Sequence, residues 1–167
     1  MTQTDARTLI LVVPHWRTIA AGTGYNIPAV VVNKNRVVDA TPAAISHGIM
    51  LGIRRREAQS VCPDLEIVVD DEERNITRFN SVIAALESVT PRIEIATGGR
   101  CSFLTRGPSR YFGGDQALGQ IVADRASEAL SAMIDVKQIP TAIQPVSYTH
   151  LRAHETDSYL VCRLLLE

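Results

Sequence analysis

The run Thr8-Leu-Ile-Leu-Val-Val13, stopped by Pro14, constrains this chain more than any other stretch. Six consecutive apolar or β-branched residues read as a strand in the middle of a sheet with both faces covered, and proline cannot continue the ladder. The remaining punctuation fits strands alternating with helices. Segments 29–33 and 36–39 read as strands around a tight turn at Asn33-Lys-Asn35. Thr41-Pro42 supplies an N-cap and a first-turn proline for a short helix ended by Gly48. A second short helix is expected over 54–60, closed by Pro63, and another strand over 65–69.

Asp70-Asp-Glu-Glu73 reads as a solvated helix start, where carboxylates meet the positive end of the dipole. The helix that follows carries Ile76, Phe79, Val82, Ile83, Leu86 and Val89 on one face, and Pro91 lies past its end. Segments 92–96 and 101–105 read as strands around a Gly98-Gly99 turn. A last helix opens near Asp115 with a stripe of Leu118, Ile121, Val122, Ala126, Ala129, Leu130 and Met133. The class is α+β (or α/β) with a mixed sheet.

The 167 residues suffice for one domain with a real core, and a formal charge of −1 exerts no global pull on nucleic acid. The N-terminus lacks a signal-peptide pattern and the apolar runs are too short to span a bilayer, so a soluble, cytoplasmic protein is expected. Cys62, Cys101 and Cys162 have no metal-ligand spacing. No cofactor is implied.

At Val146 the chain changes character. Val-Ser-Tyr-Thr-His-Leu-Arg-Ala-His-Glu-Thr156 is one reading frame of a common transposase library adapter, and Leu160-Val-Cys-Arg-Leu-Leu-Leu-Glu167 continues that frame after a sample index. Residues 146–167 are therefore expected to be foreign and are left out of the fold reading, with the native sequence cut near Gln144.

The segment Gly48-Ile-Met-Leu-Gly-Ile-Arg-Arg-Arg-Glu-Ala-Gln-Ser-Val-Cys-Pro-Asp-Leu65 resembles the fingers signature of Y-family (translesion) DNA polymerases: Gly-(Ile/Val)-x-x-Gly, a short helix, then Cys-Pro-x-Leu. The order of elements resembles a Y-family palm, residues 1–27 and 70–144, with helices on one face of a mixed sheet. The palm is interrupted by a small fingers insertion, 28–69, and the fold is incomplete. Arg106-Gly-Pro-Ser-Arg-Tyr-Phe-Gly-Gly114 narrows the likeness to ImuB-type proteins of bacterial inducible mutagenesis.

This resemblance implies an Asp-x-Asp at the end of the first strand and an Asp-Glu pair in a later turn, together holding two divalent metals. The matching positions are Val13 and His15, then Gly99 and Arg100. It also implies a Tyr and an Arg clamping the incoming triphosphate, where this chain has Pro42 and Ile45. Asp39 and Glu94 are expected to be structural. His15 is expected at a helix start or on the surface, Trp16 in the core, and Cys62 packed as a small apolar group.

The resemblance therefore implies a polymerase-like protein without catalytic residues, a metal or a bound nucleotide. It would be an adaptor in damage-induced translesion synthesis that links an error-prone polymerase, a RecA-like accessory protein and the sliding clamp. Two alternatives are an active nucleotidyltransferase with atypical metal ligands and a simple DNA-binding module. Arg54, Arg55 and Arg56 are candidates for weak contact with the DNA backbone, or a solvated turn partnered by Glu57. Arg106 and Arg110, flanking a Gly-Pro turn, are expected to be structural.

Overall fold

A computed structural model describes residues 7–133, 149–152 and 158–163. Strand β1 (Thr8–Val12) leads to α1 (Trp16–Ala21). A hairpin of β2 (Ala29–Asn33) and β3 (Arg36–Ala40) follows, turning through Lys34 and Asn35, both at positive φ. Next come α2 (Pro42–Ser46), α3 (Arg55–Val61), β4 (Glu66–Val69) and α4 (Glu72–Leu86). The hairpin of β5 (Glu94–Thr97) and β6 (Arg100–Leu104) precedes α5 (Arg106–Phe112), α6 (Asp115–Met133), β7 (Thr149–Arg152) and β8 (Ser158–Arg163).

The strands form two sheets, ordered β5-β6-β1-β8-β7 and β3-β2-β4, and both mix parallel with antiparallel pairs. In the larger sheet Leu9 stands opposite Phe103 and Leu11 opposite Cys101. These four project to one face and are buried with Phe79, Val82 and Leu86 of α4 and Leu118, Val122 and Ala126 of α6. Helices thus cover one face of this sheet. That corrects the expectation of a strand buried on both sides, because Thr8, Ile10 and Val12 are only half-buried. The smaller sheet carries its own core, in which Val30, Val32 and Val37 pack with Ala44, Ile49, Ala58, Cys62 and Leu65.

Several boundaries match the sequence reading closely. Thr41 caps α2 by accepting from the Ala44 N–H at 3.2 Å, with Pro42 in the first turn. In α4 the buried face is Asn75, Phe79, Val82 and Leu86, while Ile76 is exposed, so the apolar stripe is narrower than expected. The cap of α4 is Asp71, which accepts from the Arg74 N–H.

The Arg106–Arg110 stretch is a helix and not a Gly-Pro turn. Its Pro108 sits in the first turn, where a missing N–H costs no intrahelical bond. Residues 134–144 of the expected palm lie outside the described residues. Within the tail, β8 pairs in parallel with β1 and β7 pairs with β8. Backbone ladders ask only for extended, β-prone residues, so this pairing is neutral on where the segment came from.

Candidate functional site

The palm site is built where β1 ends against the β5–β6 turn. The Val13 N–H donates to the Gly99 carbonyl at 2.9 Å, fastening the two together. The Val13 side chain is buried in the palm core. His15 caps α1 at φ 53, with no side-chain capping bond. This left-handed conformation turns the chain sharply from strand into helix and drops Trp16 into the core, 4% exposed. There the Trp16 indole N–H donates to the Asn75 carbonyl at 3.0 Å, and its ring meets Phe79 edge-on with centroids 5.1 Å apart.

Trp16 also fills the volume in front of the turn. A Cβ placed on Gly99 would lie 2.4 Å from the Trp16 Cβ and 2.5 Å from its Cγ, and Gly99 itself is at φ +84. A Cβ on Gly98 would come within 2.9 Å of Asn75 backbone and of the Trp16 ring nitrogen. Gly98-Gly99 is a tight turn, as the sequence suggests, but its glycines are required because Trp16 and α4 close over them. The pair signals a turn locally, while what it faces is set by Trp16, whose indole is fixed by Asn75, 59 residues further along the chain.

Arg100 stands opposite Val12 at the start of β6, exposed, and alternates with the inward-facing Cys101. It therefore projects to the face of the sheet that the helices leave uncovered. Burial pushes the Cys101 thiol up to about 12, so it is an inert packing group.

Asp39 is the nearest carboxylate to His15, with 3.5 Å between Oδ1 and Nδ1. It is buried, and its two oxygens accept the Thr18 N–H at 3.2 Å and the Ala40 N–H at 2.9 Å. It thereby ties α1 to β3. The buried Tyr25 hydroxyl is pushed above its ordinary range, by burial first and by the Asp39 charge second. Glu94 is exposed on the edge strand β5.

Two divalent cations need several converging oxygen ligands. Val13, Gly99 and Arg100 provide none in their side chains and His15 provides one imidazole. Among the described residues no three His, Cys, Asp or Glu side chains converge. The donor set does not fit a magnesium pair. The fingers positions are equally bare: Pro42 has no N–H, and Ile45 is an exposed aliphatic side chain, so neither can hold a phosphate.

Asp70 is a second acid with three side-chain partners. It accepts from Asn33 and Asn75, each at 3.0 Å, and lies 3.2 Å from Arg17 Nε, joining the end of β2 to α4 and α1. Burial alone would raise its pKa. The amide hydrogen bonds and the Arg17 charge outweigh that and hold the carboxyl below its usual range.

Arg54, Arg55 and Arg56 line a separate cleft of about 440 Å³ with Asn35 and Gln59. Glu57 forms no ion pair with them.

A family model described as impB/mucB/samB matches residues 25–136. The chain belongs to this family. Among solved structures, a chain described as "Dbh Ternary Complex (substrates partially disordered)" is similar at 14% identity and a TM-score of 0.60. The likeness covers 92% of this chain and 47% of that one, so this chain spans about half of its structural relative. No curated protein matches. The fold is thus Y-family polymerase-like, and DNA-damage-related polymerases are its family context. No helix among the described residues is long and apolar enough to cross a membrane.

Proposed function

We propose that this chain is a non-catalytic, ImuB-type member of the family, an adaptor in damage-induced translesion DNA synthesis and mutagenesis. Its palm would be 1–27 with 70–144 and its fingers 28–69. The carrying observation is the Trp16–Gly98–Gly99 contact. Where a polymerase of this class needs carboxylates, this chain has glycine, and a tryptophan ring takes up the room a side chain would need. Loss of acids alone could be an accident of single positions. Loss of acids together with filling of the volume supports a palm kept for its shape. By family resemblance the partners would be an error-prone polymerase, a RecA-like accessory protein and the sliding clamp.

Primer extension tests this directly, using magnesium or manganese and all four nucleotides. The expected result is no incorporation above a no-protein control. Template-dependent synthesis that disappears in an Asp39→Asn or Glu94→Gln variant would overturn the adaptor reading in favour of a nucleotidyltransferase with atypical ligands.

A further inference from the structure

The larger sheet is open along β5, the outer strand in the order β5-β6-β1-β8-β7. All four residues of β5, Glu94–Thr97, are exposed. Its ladder to β6 begins at Glu94 opposite Ser102, so Arg92 and Ile93 stand clear of β6. A cleft of about 600 Å³ opens there, lined by Pro91, Arg92 and Ile93 and by Phe103 and Leu104 of β6. Among the described residues no main-chain N–H or C=O of 91–93 has a backbone partner. Unpaired groups of this kind are a template for a further strand.

The direction of the free groups follows from the neighbouring strands. The Thr105 N–H donates to the Arg7 carbonyl and the Val13 N–H to the Gly99 carbonyl, so the odd-numbered residues of β6 point their main chain at β1. Ser102 therefore points at β5, and Glu94 opposite it points back. Ile93 and Ile95 are left to direct N–H and C=O outward. Side chains alternate between faces with the same period. An extended 91–95 segment places Arg92 beside Glu94 on the face that the helices leave uncovered. Ile93 and Ile95 lie on the opposite face, where Ile93 packs against the palm core.

This pattern is self-complementary. Two copies of one edge strand paired antiparallel across a two-fold axis keep their faces aligned only if the axis passes through a residue. An axis at Glu94 sets two carboxylates against each other, which is unfavourable. An axis at Ile95 leaves Arg92 and Glu94 without opposite charges. An axis at Ile93 sets Arg92 of each copy opposite Glu94 of the other. On the other face it sets Ile93 against Ile93 and Ile95 against Pro91. The Ile93 N–H of each copy can then donate to the Ile93 carbonyl of the other, and the Ile95 N–H to the Pro91 carbonyl. The outer strand β4 of the smaller sheet lacks this property, because the same spacing there holds two acids, Asp64 and Glu66.

We propose that β5 is a self-association edge whose partner is a second copy of this chain. The two copies pair antiparallel about Ile93 and join their larger sheets, with a reciprocal Arg92–Glu94 pair on one face and apolar contact on the other. The association does not depend on whether the palm is catalytic.

Sedimentation equilibrium of the full chain over a wide concentration range tests this. A short edge gives a weak dimer, so the expected result is a monomer–dimer equilibrium that shifts with concentration. Arg92→Glu and Glu94→Arg each turn both cross-strand pairs into like charges and should weaken the dimer about tenfold or more. An equimolar mixture of these two variants should recover it, since each supplies the charges that the other lacks. The double exchange R92E/E94R should dimerise like the wild type. Both side chains are exposed, so thermal melts of all variants at low concentration should match the wild type. A wild type that stays monomeric throughout would overturn the proposal. So would a dimer indifferent to both single substitutions, or a mixture that fails to recover it.

Discussion

The proposal of a non-catalytic palm rests on single residues. Gly99 has both a positive φ and a neighbour within the reach of a Cβ. Gly99→Ala should cost about 2 kcal/mol or more, from backbone strain together with displacement of Trp16. The expected readout is a melting temperature lower by several degrees. Gly107→Ala is the control: nothing lies within 4 Å of its added Cβ, so its melting temperature should hold or rise. Equal effects at the two glycines would mean that Trp16 does not fill the space in front of Gly99. The sequence shows that the acids are missing at Val13, His15, Gly99 and Arg100, since identity alone reveals that. It cannot show that Trp16 occupies the space, because burial of an aromatic depends on which helix it meets.

At the scale of elements, the short polar links between strand ends and helices decide how the pieces are joined. Asp70 was expected to be one of four carboxylates at a solvated helix start, yet Asp71 is the cap and Asp70 turns inward to Asn33, Asn75 and Arg17. Local sequence identifies a helix start but not which acid of a run faces the protein. A carboxyl whose folded pKa lies below its unfolded value stabilises the fold above the unfolded pKa, near 4. That stabilisation fades as pH falls through the folded value. Wild-type stability should accordingly drop between about pH 4 and the acid limit, and Asp70→Asn should flatten that part of the profile in urea melts recorded across pH. A profile unchanged by the substitution would mean that other carboxylates set it. The same limit of local reading applies to α5. Its Gly107-Pro108 pair signals a turn, although Thr105 begins a helix in whose first turn proline is tolerated.

For the whole molecule, the periodicity of the apolar residues is enough to give the class, the elements from β1 to β6 together with α6, and most of the core. It could not give the division into two cores, which follows from strand pairing. Among the described residues the palm cluster holds 18 buried side chains and the fingers cluster nine. Polar bridges connect them: Asp39 to Thr18, Asn33 to Asp70, and the Ala43 N–H to the Tyr25 carbonyl. Polar links of this kind are weaker than a shared apolar core, so the smaller unit should open by itself. Native-state hydrogen exchange would then find the amides of β2, β3 and β4 exchanging through a lower-energy opening than those of β1, β6 and α4. Ile49→Ala gives this a sharper form. Ile49 is 2% exposed inside the fingers core, and its truncation should cost about 2–5 kcal/mol. If the fingers open separately, protection falls by that amount in β2–β4 and stays in α4 and β6. A uniform loss across both sheets would instead mean that the polar bridges bind palm and fingers into one cooperative unit. The Arg54–Arg56 cleft could then not move relative to the palm without unfolding it.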